Sequence, residues 1–119
     1  MKLDFYSDPG HGWLAVPLEL LDLLGLVDKV STYSYIYGGR AHLEEDCDYS
    51  LFAAAMNERK IPFTIREHRC NGRSRIRSYQ CYHPTTAKRN IFNMQKNQVS
   101  GAIIAALVRG APHRPTLKG

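Results

Sequence analysis

Residues 33–44, Tyr33-Ser34-Tyr35-Ile36-Tyr37-Gly38-Gly39-Arg40-Ala41-His42-Leu43-Glu44, decide how the rest of the chain is read. Two alternating runs flank Gly38-Gly39, a pair free to take the positive φ angles of a two-residue hairpin turn. Pairing outward from that turn sets Tyr37 against Arg40, Tyr35 against His42 and Tyr33 against Glu44. These six share one face, and Ser34, Ile36, Ala41 and Leu43 share the other.

The same plan extends toward the N-terminus. Lys2 to Ser7 alternates, Asp8-Pro9-Gly10-His11-Gly12 breaks it, and Trp13-Leu14-Ala15-Val16 resumes an extended apolar run, which predicts a first hairpin. Pro17 suits a first helical turn, Leu20, Leu21 and Leu24 follow at helical spacing, and Gly25 stands where a left-handed C-cap is wanted. Beyond the central hairpin, Asp46 or Asp48 is placed to cap a helix running to about Lys60, with Phe52, Ala55, Met56 and Arg59 on one side, ended by Pro62. Phe63 to Cys70 and Arg73 to Tyr82 then flank Asn71-Gly72, a strong hairpin signal. A last helical segment is expected between Ala87 and Val108. The expected architecture is α+β: a mostly antiparallel sheet built from three hairpins in ββα units, with helices packed on one face. Residues 1–108 read as a single domain and 109–119, with two prolines, as a flexible C-terminal tail.

Composition bounds the class. The chain has 119 residues, 44% of them hydrophobic, with no room for a second domain of ordinary size. Its longest strictly apolar run, Ala102 to Val108, falls short of the roughly 18 to 20 residues a membrane span needs, so no membrane partner is expected. That run is apolar on every side of a helix, which suits burial in the fold or a homodimer contact through residues 102–108. The N-terminus has acidic residues and a Pro-Gly turn where a secretory signal would need an apolar core. Three cysteines at irregular spacing point to reduced thiols in a cytoplasm rather than to disulfides. Charge is divided: residues 1–58 hold ten acids and three bases, residues 59–119 one acid and thirteen bases. The basic half is suited to polyanions or to an acidic protein patch.

The most suggestive candidates are two rows of side chains for binding. Tyr33, Tyr35 and Tyr37 line one hairpin, and the predicted third hairpin gathers Arg66, His68, Arg73, Arg75, Arg77 and Tyr79 on one strongly basic face. Tyrosine rings stack on bases or fill protein pockets, and arginine forks bind phosphates or carboxylates. The alternative is a sheet whose tyrosines form the core and whose arginines keep it soluble.

Catalytic signals are thinner. Glu44-Glu45-Asp46-Cys47-Asp48 with His11 or His42 offers oxygen and imidazole ligands for a metal-dependent hydrolase or nuclease, although helix capping accounts for much of that cluster. His68, Cys70, Cys81 and His83 supply a four-ligand zinc set, but the Asn71-Gly72 register separates the two halves by several residues of strand. Asp8-Pro9-Gly10-His11-Gly12-Trp13 exposes a histidine between glycines without the spacing of a dinucleotide or phosphate loop. No Gly-x-Ser-x-Gly element exists. No cofactor, bound metal or catalytic residue is expected on this reading.

Residues 8–14, Tyr33-Ser34-Tyr35 and Leu43-Glu44-Glu45-Asp46-Cys47-Asp48 with Leu51-Phe52 resemble stretches of small uncharacterised proteins encoded by bacteriophages and plasmids of proteobacteria. The resemblance covers about residues 1–82 and carries no activity, cofactor or catalytic residue. It implies a setting in a host cell's cytoplasm, where small phage proteins bind and disable host machinery, including nucleic-acid-handling defence systems. The resulting expectation is an accessory or anti-defence protein that blocks a host protein or nucleoprotein complex through the basic hairpin. Direct DNA or RNA binding by that surface is the alternative, and a metal-dependent hydrolase is the third reading.

Overall fold

Alternation in the first seventeen residues folds as the pattern requires. In the computed structural model, which describes residues 1–97, strand β1 (Lys2–Ser7) pairs antiparallel with β2 (Gly12–Pro17), Phe5 opposite Leu14 and Tyr6 opposite Trp13. The central hairpin has the expected register: β3 (Tyr35–Tyr37) meets β4 (Arg40–Glu44) with Tyr37 opposite Arg40 and Tyr35 opposite His42. Gly38 and Gly39 turn it at φ 60° and 75°, conformations that a Cβ would oppose. Tyr33 does not join the ladder against Glu44. Ser34 intervenes, its hydroxyl accepting from the Glu44 backbone N–H at 2.9 Å and donating to Asp48, so Tyr33 sits in an exposed turn.

Helix α1 (Leu18–Leu23) follows Pro17 and closes at Gly25, φ 73°, where the Leu26 N–H reaches back to the Leu21 carbonyl at 2.9 Å. Helix α2 (Tyr49–Glu58) begins after Asp48, but neither Asp46 nor Asp48 caps it with a side chain. The Asp48 carboxylate instead accepts from Ser31 and Ser34, pinning the loop that leads into β3. Helix α3 (Pro84–Asn97) starts three residues earlier than expected, with proline in the first turn, where its missing N–H is no loss.

The third hairpin is absent. Strand β5 (Thr64–Arg69) runs parallel to β1, Leu3 opposite Ile65, and β6 (Gln80–Cys81) pairs antiparallel with β3. The sheet order is β5-β1-β2-β4-β3-β6, so the two arms expected to pair lie at opposite edges of a mixed sheet. Asn71-Gly72 does not form the two-residue hairpin turn, and neither residue takes the positive φ that turn requires. The chain leaves β5 and crosses the sheet to β6 instead, a distance of about 24 Å at the usual strand spacing, which ten residues span easily. The fold is therefore α+β, with two hairpins rather than three.

One hydrophobic cluster unites these elements. Leu3, Leu14, Val16, Ile36, Ala41 and Leu43 from one face of the strands join Leu18, Leu20 and Leu21 of α1, Phe52 and Met56 of α2, and Ala87 and Ile91 of α3. Tyr82, wholly buried, belongs to it and donates its hydroxyl to the Val27 carbonyl at 2.6 Å. No helix among the described residues is long and apolar enough to cross a membrane. The run Ala102–Val108 and the expected tail lie outside the described residues.

Candidate functional site

The opposite face of the sheet carries Tyr6, Trp13, Ala15, Tyr35, Tyr37, Arg40, His42 and Glu44, as their register dictates. The crossing segment, residues 70–79, lies over this face as a strap. Asp8 anchors it: its carboxylate accepts from the Ser74 backbone N–H at 3.0 Å and from Arg77 Nε and Nη2 at 2.7 and 2.9 Å, while also closing its own turn through Gly10 and His11. The Arg77 guanidinium, aided by those backbone donors, holds the Asp8 carboxyl well below the usual carboxylate range. Arg77 also lies 5.3 Å over the Trp13 ring. Between the anchors the strap makes a 3-10 turn (Arg75–Ser78) that buries Ile76, and the Ser74 hydroxyl caps it by accepting from the Ile76 N–H.

On one side of the strap opens a pocket of about 490 Å³. Two ring stacks stand in its wall: Tyr37 on Tyr79, centroids 4.3 Å apart and 12° from parallel, and Tyr6 on His68 at 4.7 Å and 20°. Arg40, Arg69 and Arg75 supply its positive charge. His42, almost wholly buried beside Ala15, lines it as well, with a ring Nδ1 that has no hydrogen-bond partner among the described residues. Burial, reinforced by the charge of Arg40, lowers the His42 pKa to about 4, so the ring is neutral at physiological pH.

The residues expected to form one basic face are thus divided. His68, Arg75, Tyr79 and Tyr37 meet in the pocket. Arg66 reaches across to Asp4, its neighbour on β1, at 2.9 Å, where it and His68, the larger influence, lower the Asp4 pKa. Arg73 lies beside Asp8 and Gly10 in a shallow outer groove, and Arg77 is committed to Asp8. Tyr33 and Tyr35 face a different cavity. Sequence reading missed Tyr6, Arg40, Arg69 and His42 as pocket residues. Arg40 and His42 were visible as the cross-strand neighbours of Tyr37 and Tyr35, whereas Tyr6 and Arg69 depend on the parallel pairing of β1 with β5.

The second cavity, about 300 Å³, lies past Arg77 and is lined by Trp13, Tyr33, Tyr35 and Arg77 together with His11, Glu44, Asp46 and Cys47. His11 Nδ1 stands 3.3 Å from Glu44 Oε2, and one ligand atom each of His11, Glu44 and Asp46 lies within 4.8 Å of the others. Of the acidic candidates, these come together. His42 faces the first pocket, and Glu45, next in β-strand order to Glu44, points to the other face beside Gly12. Cys47 offers no activated thiol: partial desolvation, then Glu44, raises its pKa. The zinc set does not assemble, because His68 and Cys70 follow one edge strand and Cys81 and His83 the other. No protein-family model, curated protein or solved structure matches the chain. The site therefore rests on its own geometry.

Proposed function

We propose that the protein binds single-stranded nucleic acid, with an unpaired base seated in the pocket between the strap and the sheet and the flanking phosphates on Arg40, Arg69 and Arg75. The observation that carries this reading is the coincidence of two aromatic stacks and three arginines around one 490 Å³ opening. A planar base finds ring faces to stack on, worth about 1–3 kcal/mol per base in such sites. Arginine forks match phosphate oxygens, and several like charges held close together are eased by an anion. Tyr37, 61% exposed, has a surface available to a ligand without unfolding anything. The His42 ring, neutral at physiological pH, lines the pocket without adding a further positive charge.

The test is fluorescence anisotropy with a labelled single-stranded oligonucleotide, titrated at several salt concentrations. Affinity should fall on raising salt, with a log–log slope near −2 for about three phosphate contacts. Tyr37→Ala should weaken binding by about tenfold, consistent with a stacking loss of about 1–2 kcal/mol, and Arg75→Glu by at least as much through loss of a phosphate contact. Arg77 is left intact in this test because it holds the strap. Absence of binding, or binding indifferent to both substitutions, would sink the reading. The blocking function suggested by the phage-like stretches uses the same arginines against an acidic protein face, and capture of a host protein that survives nuclease treatment would favour it instead.

A further inference from the structure

The second cavity holds groups that the nucleic-acid reading does not use. We propose that His11, Glu44 and Asp46 bind a divalent cation of the Mn²⁺ type. Three features support the site beyond the proximity of its ligands. One imidazole and two carboxylates form a mixed nitrogen and oxygen donor set of the kind such cations take. No Lys or Arg among the described residues is left to neutralise their negative charge: Arg77, the one Lys or Arg lining the cavity, is committed in two-pronged fashion to Asp8, and Asp46 makes no ion pair among the described residues. Finally, Trp13 lines the same cavity at 2% exposure, and its buried indole N–H has no acceptor among the described residues. A buried donor without a partner is uncommon, and a water or oxyanion carried by a bound cation would supply the missing oxygen.

The sequence builds this cluster from two tight turns. Asp8 accepts the Gly10 and His11 backbone N–H groups and presents the His11 ring. Glu44 ends β4, its Oε1 accepting from the Asp46 and Cys47 N–H groups at 2.9 and 3.0 Å, which leaves Oε2 facing His11. The Glu44 carboxylate is thereby oriented before any ion arrives, as ligating carboxylates in metal sites are.

Trp13 is the only tryptophan, so its fluorescence reports directly on the cavity. Titrating the full chain with Mn²⁺ alone should quench that emission saturably at one equivalent. Mn²⁺ is the chosen probe because it favours carboxylate over the three exposed thiols of Cys47, Cys70 and Cys81, which would take up softer ions. His11→Ala and Asp46→Asn should each weaken the saturable phase by more than about tenfold. Tyr37→Ala, in the other pocket, should leave it unchanged. Asp46 is exposed and its side chain makes no hydrogen bond in the described residues, so its substitution does not threaten the fold. Quenching that fails to saturate at millimolar Mn²⁺, or that is equal in Asp46→Asn and the native chain, would overturn the proposal.

Discussion

Asp8 and Arg77, 69 positions apart in sequence, meet in a paired ion bridge whose carboxylate is almost wholly shielded from solvent. This contact binds the turn of the first hairpin to the strap and so shapes both cavities at once. Its geometry explains why the chain between β5 and β6 crosses the sheet instead of doubling back at Asn71-Gly72.

Asp8→Asn should therefore loosen the strap more than it disturbs the sheet. Asparagine keeps one acceptor oxygen but loses the charge that engages Arg77. The thermal midpoint should fall by more than about 5 °C, and trypsin should cleave at Arg73 and Arg75 well before the core opens. Unchanged proteolysis would show that the strap is held by other contacts. Acid dependence has a definite sign. Since the folded carboxyl is depressed below its unfolded value of 3.8, the contribution is complete above that pH and disappears only as the solution falls through the lower folded value.

His42 predicts a second acid effect in a separate window. Its folded pKa near 4 lies below the ordinary 6.5, so the unfolded chain takes up the proton first. Stability from burying the neutral ring is full above pH 6.5 and is lost as pH falls toward 4, by about 3 kcal/mol at most. Urea unfolding at pH 7, 5.5 and 4 should show this slope in the native chain and a shallower one in His42→Gln. Parallel slopes in the two proteins would refute the assignment.

Tyr82→Phe isolates one buried hydrogen bond. The ring remains in the cluster while the Val27 carbonyl loses its 2.6 Å donor, a change expected to destabilise by about 1–3 kcal/mol. Burial also holds the phenol well above its ordinary titration range, so in native protein its phenolate absorbance should appear only on unfolding. A Tyr82→Phe chain with an unaltered urea midpoint would contradict this account.

The turn at Gly38-Gly39 makes a graded prediction. Alanine at either position must hold a positive φ, a strain of about 1 kcal/mol. At Gly39 the new Cβ would also lie 3.2 Å from Met94 Sδ, whereas at Gly38 it meets no atom of the described residues within 4 Å. Differential scanning calorimetry should rank Gly39→Ala below Gly38→Ala, and the opposite order would refute the contact with α3.

Local pattern carried the reading as far as local contacts did. The register of Tyr37 with Arg40, the first hairpin and the Gly25 helix stop all follow from neighbours within a few positions, and all appear as read. The third hairpin misled because Asn71-Gly72 expresses a preference worth little beside the burial of Ile76 and the Asp8 anchor. Nothing near Asp8 in sequence announces Arg77, and nothing near Lys2 announces a parallel partner at Thr64. His68, Arg75 and Tyr79, expected on one face of a third hairpin, do share a pocket, yet by way of a strap rather than that pairing, and Tyr37, read on a separate hairpin, joins them there. His11, Glu44 and Asp46 were legible as a cluster because the turn of the first hairpin and the end of β4 are neighbours in the sheet, whereas His42 and Glu45 are separated from them by strand position and parity.

The parallel pairing of β1 with β5 has a consequence for how the chain is made. On the ribosome the first hairpin emerges early, but the outer edge of β1 stays bare until residues 64–69 have followed it out. During that interval a row of unsatisfied amide groups is presented to any neighbouring nascent chain, an invitation to pair wrongly. Arg66, Glu67 and Arg69 then close that edge with a charged strand that discourages further addition, so the strand that completes this side of the sheet also makes it safe.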